Sequence, residues 1–199
     1  MIKKLVIKSL LFSTVLSTAS FANANTYYLN ESNVLGNNIN YAQVDVVEQF
    51  DNLSFTVQAL GPLNWKFSNF YFNLVDVIGA VTLTGIPSDW SADTTKNVSE
   101  FGKFSNGVKG DGDSLNSFFT FTVDGANALT LVNLGETNKG WIFAGHVQCQ
   151  NKENSPCAAV DNLTSHHIAG PGISEVPLPA AGWLFGSALL GLMGFRRKM

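Results

Sequence analysis

Apolar and polar residues alternate through the middle of this chain. In NLSFTVQA, Leu53, Phe55, Val57 and Ala59 share one face, while Ser54, Thr56 and Gln58 share the other. In SLNSFFTFTV, Leu115, Phe119, Phe121 and Val123 fall together. A period of two sustained over several pairs predicts half-buried antiparallel strands. The run WKFSNFYFNL is aromatic on both faces, as expected of a central strand or one buried between layers. Turn signals such as Leu35-Gly36-Asn37-Asn38, Gly61-Pro62, Ile86-Pro87-Ser88 and Gly110-Asp111-Gly112 separate the runs. Asp124-Gly125 predicts a hairpin whose second arm is Ala128 to Leu134. The pattern predicts roughly eight to ten strands and no amphipathic helix before residue 176. The expected fold is all-β, an antiparallel β-sandwich of jelly-roll-like type, with a closed barrel as the alternative. Pro87–Glu100 reads as a long loop. Residues 162–175, NLTSHHIAGPGISE, read as a polar linker in which Gly170-Pro171-Gly172 discourages regular structure. The expected ectodomain is therefore residues 25–161.

Both ends break the alternation. The N-terminus carries Lys3, Lys4 and Lys8, then a short apolar stretch from Leu10 to Phe21, then Ala22-Asn23-Ala24. Basic region, short apolar region and small residues at Ala22 and Ala24 predict a secretory signal peptide over residues 1–24. The run is too short and too rich in Ser and Thr to span a bilayer well. The C-terminus holds 20 uncharged residues from Val176 to Phe195, followed by Arg196-Arg197-Lys198. About 20 apolar residues suffice to cross the hydrocarbon core, so 176–199 reads as a single transmembrane helix with a basic tail. The basic cluster is expected on the cytoplasmic side.

This organisation changes the charge reading. The whole chain is −3, but residues 25–175 hold six basic and fifteen acidic residues, a net of −9. Such a segment repels nucleic acid and anionic membrane and suits cations or a polar matrix. The two cysteines, Cys149 and Cys157, are an isolated pair destined for an oxidising compartment, where a disulfide is expected. A loop this short stabilises by at most roughly 2–3 kcal/mol.

The tail has a specific order. Val176-Pro177-Leu178-Pro179-Ala180 is followed by AGWLFGSALLGLMGFRRKM. A short Pro motif, a Trp-Leu-Phe-Gly start, a Gly-rich apolar helix and a terminal Arg cluster together resemble the PEP-CTERM sorting signal in its VPLPA variant. The namesake Pro-Glu-Pro is absent, and Glu175 precedes the prolines instead. The resemblance implies processing by an exosortase-type sorting protease in a Gram-negative bacterium. It further implies an inner-membrane-anchored precursor, then delivery to the cell surface or extracellular matrix. Pro177 and Pro179 hold the motif extended, a form a protease can grip. Gly182, Gly186, Gly191 and Gly194 suit close helix–helix approach and equally fit the glycine content usual in membrane helices. Two inner motifs, Asn69-Phe70-Tyr71-Phe72-Asn73-Leu74 and Phe143-Ala144-Gly145-His146-Val147-Gln148, are similar to strands in the ectodomains of proteins bearing such tails. Some of those proteins are linked to extracellular polysaccharide and biofilm or floc matrix.

Candidate chemistry is sparse. His146 lies in WIFAGHVQC on the face of Ile142 and Ala144, and no G-x-S-x-G or similar motif supplies a nucleophile. It reads as a structural histidine hydrogen-bonded near a strand end. His166-His167 read as a solvated linker pair. Asp111 and Asp113 flank Gly112 in the one dense carboxylate cluster, a weak calcium candidate, since position 115 is Leu and no Glu closes the loop. Trp65, Tyr71, Trp90 and Trp141 would stack on sugars if exposed and build core if not. No cofactor is expected. The sequence thus predicts a non-enzymatic exported surface or matrix protein, the alternative being a secreted carbohydrate-binding module. An aromatic platform beside a groove would favour that alternative. A histidine with a Ser or carboxylate partner in a deep pocket would favour a hydrolase.

Overall fold

A computed structural model describes residues 23–37, 39–60, 64–125, 127–149 and 165–170. Its strands are β1 (Ala24–Leu29), β2 (Glu31–Ser32), β3 (Ala42–Gln49), β4 (Asn52–Ala59), β5 (Trp65–Phe72), β6 (Val81–Thr84), β7 (Trp90–Val98), β8 (Gly102–Gly110), β9 (Phe118–Gly125), β10 (Phe143–Cys149) and β11 (Ser165–Gly170). They form two sheets, ordered β1-β3-β4-β9-β6 and β2-β11-β10-β5-β8-β7, with antiparallel pairing throughout. The protein is all-β with two antiparallel sheets facing each other, not one closed barrel. Among the described residues no helix is long and apolar enough to cross a membrane. The expected transmembrane segment, the expected sorting motif Val176–Ala180, Arg196, Arg197, Ala22 and Cys157 lie outside the described residues. Ala24, the last residue of the expected signal peptide, opens β1 opposite Val47.

The alternating runs bury the faces they predict. Leu53, Phe55 and Val57 of β4 point inward with Val44 and Val46 of β3 and Phe119, Phe121 and Val123 of β9. Phe55 stacks on Phe121 at 4.7 Å and lies 5.0 Å from Phe72 across the layer. The run aromatic on both faces has a local cause. Opposite β10, the register of β5 shifts between His146 and Val147, so that His146 faces Asn69 and Val147 faces Phe67. Ser68 is the extra residue of this bulge. One added residue reverses the inward phase of a strand. Trp65, Phe67, Phe70 and Phe72 therefore all enter the inter-sheet core, although Phe67 and Phe70 are an odd number of positions apart.

Three expectations are corrected. Residues 162–175 are not simply a linker, because Ser165–Gly170 form β11, inserted between β10 and β2. The free edge of β10 supplies the ladder that these short, polar and Gly-bearing residues could not form alone. Pro87–Glu100 is not a loop, since Trp90–Val98 pairs along β8 from Gly110 to Gly102. Ala128–Leu134 does not return as a hairpin arm. Both flanks of β9 are occupied, by β4 and by β6, and Leu131–Asn133 instead form a short 3-10 turn.

One edge of the sandwich is closed by the chain itself. After Leu29 the backbone crosses from the first sheet to the second, where Asn30 N–H donates to Ala169 O and Ser32 pairs with Ile168. The approach is so close that a Cβ on Gly170 would sit 2.2 Å from Tyr28 O.

Candidate functional site

The outer face of the six-stranded sheet carries a second, smaller cluster of Tyr71, Val98, Phe101, Phe104, Ala144 and Ala169, with Trp141 packed beside it. It exists because the β7–β8 hairpin continues past the end of β5 and folds back over the sheet. Asn73 holds the departure point, accepting from Ser105 N–H at 2.7 Å and donating to Lys103 O at 3.4 Å. The hairpin tip is fixed by Thr137, whose hydroxyl donates to Phe101 O at 3.0 Å and accepts from the Lys139 and Trp141 N–H groups. Phe101 then meets Trp141 edge-on at 5.5 Å.

Between this folded-back hairpin and the sheet lies a half-open cleft of about 230 Å³, lined by Asn69, Tyr71, Lys96, Asn97, Val98, His146 and His167. The two inner motifs singled out in the sequence build its floor as direct neighbours: Asn69, Phe70, Tyr71 and Phe72 pair with His146, Gly145, Ala144 and Phe143. Tyr71 fits because its cross-strand partner is Gly107, where a Cβ would lie 2.4 Å from the ring. Its hydroxyl donates to Asp93 at 3.2 Å, and burial first, then the Asp93 charge, raise its pKa.

The histidines are arranged as strand geometry dictates. His146 and His167 are cross-strand partners on β10 and β11, with ring centroids 4.7 Å apart and planes at 31°. His166, one position earlier, points to the opposite face. It is 2% exposed, wedged between Trp65 at 4.4 Å and Tyr41 at 5.8 Å, and its ring nitrogens bond to no group among the described residues. The pair expected to be solvated in a linker is thus split between core and cleft. Burial pushes His146 and His166 down to about 4, with further depression by neighbouring imidazoles. His167 is also lowered, by burial first, with Glu100 opposing and Lys96 reinforcing the shift. Burial therefore biases all three rings towards the neutral form.

His146 is hydrogen-bonded within the sheet. Its Nδ1 lies 2.7 Å from the Ser68 hydroxyl, which also contacts Asn69 Oδ1 at 2.8 Å. This is a Ser–His contact, but Ser68 is only 6% exposed, sits in the bulge and does not line the cleft. A nucleophile must reach substrate, so the contact positions the imidazole and does not activate the serine. The other candidates are not brought here. Asp111 and Asp113 are exposed in the turn after β8, where Ser114 N–H donates to Asp111 O. No group of three His, Cys, Asp or Glu converges as a metal cage among the described residues. Trp65, Tyr71 and Trp90 are buried, and Trp141 is half-buried against Phe101. Cys149 is disulfide-bonded; its expected partner Cys157 lies outside the described residues.

Sequence reading missed Ser68, Lys96, Asn97, Val98 and His167 as companions of His146. The available signal was the alternation of His166 and His167 within Ser165–Gly170, which a strand would separate onto two faces. Comparison with protein-family models, curated proteins and solved structures finds no match to this chain.

Proposed function

We propose that this chain is the precursor of a non-enzymatic surface or extracellular-matrix protein. It is exported by the N-terminal signal, held by the 176–199 segment and released or transferred by an exosortase-type sorting protease. The observation that carries this reading is the order of the tail: Val176-Pro177-Leu178-Pro179-Ala180, an uncharged run to Phe195, then Arg196-Arg197-Lys198. The cargo is a jelly-roll-like sandwich, a reading supported by the non-consecutive neighbours β4–β9 and β10–β5 and the sheet switch at Asn30. An edge closed by β1, β2 and β11 leaves fewer unpaired strand groups outside the cell. Polysaccharide of the matrix is the partner class this reading names, and the net charge of −9 between residues 25 and 175 argues against nucleic acid. The carbohydrate-module alternative has weaker support, because the tryptophans and Tyr71 serve as packing residues, not as a stacking platform.

The test is fractionation with mass spectrometry of the mature termini in an exosortase-competent host. A mature N-terminus at Asn25 and loss of the residues after the VPLPA motif are expected, with the C-terminal change alone blocked by Pro177→Ala/Pro179→Ala or by removal of the exosortase-type protease. Full-length chain found soluble in the cytoplasm would sink the proposal.

A further inference from the structure

The cleft pairs two imidazoles from adjacent strands in front of an open volume, and this juxtaposition has no role in the sorting reading. We infer that His146 and His167 form a two-nitrogen site for a borderline divalent transition metal, with copper(II) the tightest and zinc(II) or nickel(II) weaker.

Three observations converge on it. The first is geometry. Metal–imidazole bonds of about 2.0–2.1 Å to cis positions place two ring centroids roughly 4.5–5 Å apart. The rings of His146 and His167 stand 4.7 Å apart before any ion is considered. The second is the proton inventory. The Ser68 hydroxyl has two oxygen acceptors in reach, Asn69 Oδ1 at 2.8 Å and His146 O at 3.3 Å, and when its proton goes to either of them Ser68 accepts from His146 Nδ1–H at 2.7 Å. In that tautomer the lone pair of His146 is on Nε2, oriented by an outer partner in the manner of metal-ligating histidines. The third is the donor set. Imidazole nitrogens suit copper, nickel and zinc, whereas calcium and magnesium want several carboxylate or carbonyl oxygens. With no third His, Cys, Asp or Glu converging among the described residues, the remaining positions fall to water. Such a site binds reversibly and leaves coordination positions open to an outside ligand.

The experiment is titration of the full chain, purified in detergent, with copper(II) alone, read by calorimetry and electron paramagnetic resonance. One saturable equivalent with couplings to two imidazole nitrogens is expected. His146→Asn and His167→Asn should each weaken it at least tenfold and reduce the couplings to one nitrogen, with circular dichroism confirming the fold. A variant that does not harm folding closes the test. Lys96 is exposed, and Lys96→Glu should tighten binding several-fold by removing the opposing ammonium. Absence of a saturable equivalent, affinity unchanged in both histidine variants, or no tightening in Lys96→Glu would each overturn the inference. None of these results bears on the sorting proposal, whose test reads the termini.

Discussion

His166 and His167 are neighbours in sequence and opposites in environment. His166 lies on the inner face of β11 among Trp65, Tyr41 and the inter-sheet aromatics, where an imidazole finds no hydrogen-bond partner among the described residues. His167 lies on the outer face beside His146, in a cleft whose wall is a hairpin held by polar contacts from Asn73 and Thr137. The inner face is a continuous aromatic core that buries area between two sheets. The outer face buries less and owes its shape to individual hydrogen bonds and to glycine at one close approach. The difference teaches that the stabilising core and the open cleft are segregated across one sheet, about one strand thickness apart.

The inner face should dominate stability. Phe70→Ala removes a ring packed against Phe67, Phe72, Phe119, Phe121 and Phe143, and should lower unfolding free energy by about 3–5 kcal/mol in urea denaturation. A loss below about 1 kcal/mol would mean that the two sheets are not packed as described.

The next effect follows from pH. His166 has a folded pKa near 4, below the ordinary 6.5, so its neutral form is the one the fold holds. Its contribution is fully present above about pH 6.5, where the unfolded chain is also neutral, and is lost as pH falls towards 4. The lost stability should reach about 3 kcal/mol, measured in chelator-treated protein. His166→Leu should flatten much of that acid limb, with His146 retaining its own share, and should keep or raise stability at pH 7 by removing an unpartnered polar group. An unaltered acid limb in the variant would place the linkage elsewhere.

Gly107→Ala probes the outer face by steric means. The added methyl would meet the Tyr71 ring at 2.4 Å and Phe70 O at 2.7 Å, and one contact being backbone, β8 must shift. A loss of about 1–3 kcal/mol is expected. Histidine ring resonances from the cleft should move more than those of His166, and the reverse pattern would contradict the separation of the faces.

Tyr71→Phe should have the smallest effect. It removes the 3.2 Å hydrogen bond to Asp93 and the hydroxyl's hydrogen bond with Asn69, and should lower stability by about 0.5–1.5 kcal/mol, with the core aromatic spectrum unchanged.

Much of the first sheet was legible in the chain. β4 and β9 follow a period of two, and their inward residues could be named because side chains alternate whatever the partner strand is. β5 was only half legible. Its aromatic content announced a central strand, but the phase of Phe67 against Phe70 depends on a bulge at Ser68 that no periodicity reveals. β11 was illegible, since Ser165–Gly170 is polar, short and followed by Pro171-Gly172, and becomes a strand only where β10 offers an unpaired edge. The candidate site suffered most. Its two motifs could be seen as strands but not as partners, and Lys96, Asn97 and Val98 fell in a presumed loop.

By itself the sequence determined the all-β class, the inward residues of the regular strands, the acidic middle between two basic ends and the order of residues in the 176–199 tail. These rest on local periodicity and composition, which need no knowledge of what lies beside a strand. The tertiary structure alone decided that His167 would stand next to His146 and that His166 would be buried. Both outcomes depend on pairing between segments about twenty residues apart, and such a register is set by the free edge, the bulge and the hairpin that closes over it.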